Sequence, residues 1–226
     1  MAENTNVPVQ PDASMEVVDK VTGFWQQNSK NILIGLTVII VVAGGIVGYK
    51  YLVAEPKEKS ANDAIFRAQQ YFQQDSLALA LNGDATNPGF LKIMDKYSGT
   101  KAANLAHFYA GAIYLKQGDF ANAEKHLKDF STSSLQISAR AKSLLADTYA
   151  EQGKKEEAAK LYREAAAIFE KDEFNSAEYL FRSGYLYESL GKNKEAIESY
   201  KLIKEKYPRS ERGFEVDKYL ARLGEL

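Results

Sequence analysis

The chain has 226 residues, 29 basic against 30 acidic side chains, two His, fourteen Tyr and no Cys. A formal net charge of −1 removes the electrostatic footprint of a nucleic-acid binder, and the lack of Cys excludes disulfides, thiolate nucleophiles, Cys-ligated zinc and iron–sulfur clusters. At 45% apolar and 26% charged, the composition is that of a folded chain and not of a disordered one.

The charges are unevenly placed. Residues 1–30 carry Glu3, Asp12, Glu16 and Asp19 against Lys20 and Lys30, and from Asn31 to Tyr49 there is no charge. Residues 51–226 hold 26 basic and 26 acidic side chains. Three parts are expected: a soluble tail over 1–30, a membrane-spanning helix over 31–54 and a large domain over 55–226. A helix rising about 1.5 Å per residue needs about 20 residues to cross a hydrocarbon core of ~30 Å. The run 31–54 has that length, and Lys50 near its end can snorkel its ammonium into the headgroups. Phe24 and Trp25 precede the run and Tyr49 and Tyr51 close it, as interfacial aromatics do. Its Ile, Leu and Val side chains favour insertion by at most about 3 to 7 kcal/mol. A core helix would show a polar face and a signal peptide a short basic leader; this segment has neither, so a retained single-pass helix in the bilayer is expected. Gly44 and Gly48 form a Gly-x-x-x-Gly pair, the close-approach spacing of some membrane helix contacts. Lys20 and Lys30 before the run are outnumbered by Lys50, Lys57, Lys59 and Arg67 after it. Taken alone, that count leaves the domain in the cytoplasm, although long domains translocate largely regardless of such charges.

Next, Lys59–Leu81 reads as one amphipathic helix, Asn82–Phe90 as a turn-rich loop and Phe90–Tyr97 as a shorter helix. Asp95-Lys-Tyr-Ser-Gly-Thr100 echoes Glu205-Lys-Tyr-Pro-Arg-Ser210, which marks a degenerate first repeat ending near Thr100. Three windows, 106–130, 141–165 and 178–202, then align on one another. Each has a Tyr (Tyr114, Tyr149, Tyr187) with a small residue three positions before it (Gly111, Ala146, Gly184) and a Gly four after it (Gly118, Gly153, Gly191). Nine positions after the Tyr stands Ala (Ala123, Ala158, Ala196), and four beyond that a bulky residue (Leu127, Tyr162, Tyr200). The pattern resembles the tetratricopeptide repeat, with His107, Lys142 and Leu180 in its Trp slot and Pro208 alone keeping its Pro. It implies an all-α solenoid behind the N-terminal helix. The extra residues of the second period fall around Ala167–Asn175 and are expected to lengthen a hairpin end. A capping helix, Arg212–Leu223, offers Phe214, Tyr219, Leu220 and Leu223 to cover the last repeat.

A catalytic site is not expected. His107 reads as packing and His126, beside Lys125 and Lys128, as solvent-side; on separate helices without a carboxylate cluster they make a poor metal pair. Phosphate-loop, nucleophile-elbow and zinc-protease motifs are missing, and no cofactor or small-molecule substrate is expected. A binding surface remains. By helical spacing the first helices of the repeats turn Leu105, Phe108, Ala112 and Leu115, then Arg140, Asp147, Phe181, Tyr185 and Glu188, to the concave face, a mix suited to an extended peptide or a partner helix, unless the capping helix takes some of them. The Lys/Asn clamp for a C-terminal carboxylate is absent, because Ser143, Asp147 and Tyr185 occupy such places.

The order of parts, with VTGFWQQNSK before the apolar run, Gly-Tyr-Lys-Tyr closing it and Ala-rich helices following, resembles the YfgM-type ancillary subunits of the bacterial SecYEG translocon over about residues 16–210. That resemblance implies an inner-membrane protein with its C-terminal domain in the periplasm, SecYEG and the periplasmic chaperone PpiD as partners, and a part in handing exported chains to chaperones. The alternatives are a scaffold for another envelope complex, or a membrane-tethered cytoplasmic adaptor as the Lys/Arg count suggests.

Overall fold

The computed structural model describes residues 13–225. Residues 1–12 of the expected acidic tail, with Glu3 and Asp12, lie outside the described residues. The chain divides into two compact units, residues 1–56 and 57–226.

In the first unit, α1 (Ala13–Tyr49) takes in the second half of the expected tail as well as the apolar run. Residues Lys50–Ala54 widen into a π-helical turn. Among the described residues one helical stretch near the N-terminus is long and apolar enough to cross a membrane, and none of its most apolar window is buried. Ile40, for example, is 68% exposed.

The second unit is built of helix pairs. Its helices are α2 (Glu55–Gln73), α3 (Leu77–Asn82) and α4 (Phe90–Lys96), then the pairs α5 (Lys101–Lys116)/α6 (Phe120–Asp129), α7 (Leu135–Glu151)/α8 (Lys155–Ile168) and α9 (Glu173–Ser189)/α10 (Asn193–Lys206), and last α11 (Glu211–Arg222). The repeat slots explain why each pair turns where it does. Gly118, Gly153 and Gly191 all adopt a left-handed backbone, with φ of 77°, 78° and 70°. The next N–H then bonds back to the carbonyl of the repeat tyrosine, Asp119 to Tyr114, Lys154 to Tyr149 and Lys192 to Tyr187, at 2.8–2.9 Å. This is the Schellman closure of a helix end, in which glycine avoids the Cβ penalty of that conformation. The small slot has a packing reason: a Cβ on Gly184 would stand 2.5 Å from the Tyr200 ring, and one on Gly111 2.6 Å from Leu127 Cγ.

The first unit of the solenoid obeys the same rules with other residues. Tyr71 takes the tyrosine slot, Ala68 three before it and Ala80 nine after it are fully buried, and Asp75 adopts the left-handed conformation at φ 55°. The Ser76 N–H closes back on the Tyr71 carbonyl at 2.9 Å. The helix expected over Lys59–Leu81 is therefore broken at Asp75 into α2 and α3. In the bulky slot stands Asp84, which accepts a 2.6 Å bond from the Tyr71 hydroxyl and bonds from the Thr86 and Asn87 N–H groups. Glu58 of α2 accepts from the Lys101 and Ala102 N–H groups and so caps α5 from outside its own helix.

Two other expectations change. The surplus of the second period goes into α8, which has 14 residues against 10 in α6, while the link 169–172 stays short. In α11, Val216 and Leu220 are buried, but Phe214 is 77% exposed.

Candidate functional site

A groove of about 430 Å³ runs across the first helices of the three pairs. Leu105, Phe108 and Tyr109 of α5, Ile137 and Arg140 of α7, Phe169 after α8, and Asp172, Asn175 and Tyr179 at the start of α9 line it. Ring contacts hold its floor: Tyr109 stacks on Phe90 at 4.9 Å and meets Phe72 edge-on at 5.1 Å, and Phe108 packs against Phe130 at 5.5 Å. Gln69 donates to the Tyr109 hydroxyl at 3.2 Å. Asp172 is spent on its own helix, accepting the Asn175 N–H as the N-cap of α9. Arg140 is exposed and makes no ion pair among the described residues.

The expected concave residues separate into two groups. Leu105, Phe108 and Arg140 meet in the groove. Ala112 and Leu115 are half-buried farther along α5 and line no part of it. Phe181 and Tyr185 line a smaller recess of about 150 Å³ with Tyr162 and Arg182. Asp147 accepts from the Tyr162 hydroxyl and pairs with Arg182 at 2.9 Å. Glu188 is held by Arg222 at 2.8 Å and by the Tyr200 hydroxyl at 3.0 Å. Phe181 is almost buried, with the Arg212 guanidinium 3.9 Å above its ring. α11 has thus taken Phe181 and Glu188 as its own docking residues. Burial pushes the Tyr162 phenol up, with Asp147 beside it adding to the shift. For Glu178, burial raises the carboxyl, but hydrogen bonds from Arg212 and Arg182 outweigh it and the net shift is downward. These charges hold helices together.

Tyr109, Ile137, Phe169 and Tyr179 escaped the slot reading. The groove uses residues 105–109 of α5 but 136–140 of α7 and 172–179 of α9, each counted against its own tyrosine an earlier stretch of the helix. Packed helices cross at an angle, so a line across the stack shifts along each axis. The signal in reach was the Asn175/Tyr179 pair, four apart and so on one face of α9.

His126 corrects a second reading. It is 8% exposed, its ring stacks on Tyr114 at 5.5 Å, and its Nδ1 lies 3.1 Å from Nδ1 of His107. Ala123, His126 and Leu127 share the buried face of α6, whereas Lys125 and Lys128 point away. Burial lowers the pKa of both imidazoles below the ordinary 6.5; Lys125 also disfavours the charged form and Asp129 favours it. No group of three His, Cys, Asp or Glu side chains poised around one point occurs among the described residues.

The tetratricopeptide repeat-like domain family matches residues 22–218. The chain belongs to this family. The match begins inside α1, ahead of the first repeat, so the tetratricopeptide repeat-like region takes in the apolar helix together with the solenoid. No curated protein matches the chain. Domains of this kind typically act as protein-interaction modules, which accords with a groove floored by aromatic rings and edged by Arg140.

Proposed function

We propose that this is a single-pass membrane protein that binds other proteins through the groove between α5, α7 and α9, without catalysis of its own. The observation that carries the reading is the groove itself, about 430 Å³, floored by Phe108 and Tyr109 with Arg140 at its rim. Its dimensions and alternation of apolar and polar lining suit an extended segment or one face of a helix. Residues 31–54 span the bilayer, 1–30 form the short side and 55–226 the domain; Gly44 and Gly48, where an added Cβ would meet nothing, are open to a second membrane helix. Anchoring confines the groove to the membrane surface and raises its effective concentration beside a membrane-embedded partner.

The resemblance to YfgM-type subunits extends this reading. On it, the membrane is the bacterial inner membrane, the repeats face the periplasm, SecYEG is the neighbour and PpiD the chaperone to which newly exported chains pass. A photo-crosslinking residue at Ile137 tests the groove and the partner together, alongside protease treatment of spheroplasts. Expected are adducts with the translocon, the chaperone or exported chains, weakened by Phe108→Ala, and digestion of 55–226 from outside. Cleavage only after lysis makes the protein a cytoplasmic adaptor; adducts unaffected by Phe108→Ala remove the groove.

A further inference from the structure

The last helix repeats, on a face that nothing among the described residues covers, one of the contacts by which it is itself held. In α9, Glu178 accepts a 2.7 Å bond from Arg212 Nε, and the same guanidinium lies 3.9 Å over the Phe181 ring. Tyr219, seven residues after Arg212, meets Phe181 edge-on at 4.9 Å. Glu and Phe three apart thus clamp an arginine by a charged hydrogen bond and a cation–π contact.

α11 carries the same pair 33 residues on, Glu211 for Glu178 and Phe214 for Phe181. The backbone confirms the register independently. Glu225 N–H closes on the Leu220 carbonyl at 3.0 Å across Gly224 at φ 81°, as Lys192 closes on Tyr187 across Gly191, and Tyr187 and Leu220 are also 33 apart. Glu211 is exposed and has no partner among the described residues. Phe214 is 77% exposed, against 9% for Phe181.

We infer that Glu211 and Phe214 form a second docking point, outside the groove, for a helix of another protein that presents an arginine and, seven residues later, an aromatic side chain. The interface is a continuation of the α9–α11 contact. A second copy extending the solenoid is a poor occupant. It would bring α2, in which Asp63 and Gln70 stand where α11 has Arg212 and Tyr219 relative to the repeat tyrosine slot, and Asp63 would face Glu211 with like charge.

The test uses the full chain in detergent and, as probe, a stapled, fluorescently labelled helical peptide with the sequence 210–223. Saturable binding is expected, weakened at least tenfold by Glu211→Arg or Phe214→Ala. Both positions are solvent-exposed, and circular dichroism checks that each variant is folded. A probe with Arg212→Glu is expected to lose binding to the native chain and regain it with the Glu211→Arg variant. No saturable binding, or binding indifferent to these changes, overturns the inference. So does a concentration-dependent dimer abolished by Phe214→Ala, which would assign the face to a second copy.

Discussion

The first unit of the solenoid, α2 to α4, and the three pairs after it reach one geometry with different residues. In the later pairs, glycine supplies the left-handed turn after each repeat tyrosine; in the first, Asp75 supplies it at φ 55°. Leu127, Tyr162 and Tyr200 fill the bulky slot in the pairs, whereas Asp84 in the first unit bonds the Tyr71 hydroxyl and organises the 83–89 loop through Thr86 and Asn87. What persists is conformation and volume: an αL turn, an Ala or Gly three before the tyrosine and a buried Ala nine after it. An aspartate can hold αL, and a hydrogen-bonded carboxylate can occupy a place that is otherwise apolar, so the slot tolerates changes that its physics permits.

The strongest way to break this comparison is at the seam between the first unit and the pairs. Phe90 is fully buried and stacked on Tyr109. Phe90→Ala is expected to cost about 3–5 kcal/mol, read from urea unfolding followed by circular dichroism. Because Tyr109 also floors the groove, the same variant should weaken partner capture. A loss near zero would mean that the first unit is not packed on α5.

A sharper and smaller contrast lies in the two kinds of turn. Gly153→Ala places a Cβ on a left-handed residue and is expected to destabilise by about 1 kcal/mol. Asp75→Gly should do the reverse, by up to about 1 kcal/mol, since the 3.1 Å ion pair from Lys116 that it forfeits is exposed and worth little. Thermal melts of the two variants moving in the same direction would contradict the shared turn geometry.

The smallest expected effect is one of pH. His107 shares a cavity with Met94 and Ser98, so the His107–His126 pair sits against the first unit. One Nδ1 donates and the other accepts at 3.1 Å, and a second proton would set two donors face to face. Both pKa values are lowered by burial, so the unfolded chain binds more protons than the folded one below the ordinary 6.5. Stability contributed by the pair is full above that value and is lost as pH falls through it towards the folded values. Melting temperatures measured from pH 7.5 down to 5 should fall, and His107→Phe should flatten the slope. An unchanged slope would take the pair out of the balance.

The repeat pairs could be read from the chain because their determinants are local. A left-handed glycine, a small residue and a 3.6-residue apolar period each act within one or two turns of helix. The first unit was only half visible, because Asp75 and Asp84 satisfy its rules with letters that the repeat pattern does not contain. His126 differs for a similar reason: its two lysine neighbours point to an outward face, while the Ala123–Leu127 spacing turns the ring inward. Helical spacing within each helix gives its concave side, but the groove runs obliquely, and of the positions so expected Leu105, Phe108 and Arg140 line it.

By itself, then, the sequence determined an apolar helix near the N-terminus, an all-α solenoid of tetratricopeptide type and the turns between its helices, since these follow from hydropathy, periodicity and backbone preference. Tertiary structure alone decided which side chains meet across 19 to 35 residues: the two histidines, the Asp147–Arg182 pair and the clamp that Glu178 and Phe181 close on Arg212. It also left the second copy of that clamp, Glu211 and Phe214, uncovered. The physical reason is that such meetings depend on how packed helices cross and where the stack ends, and neither is encoded within one turn of one helix.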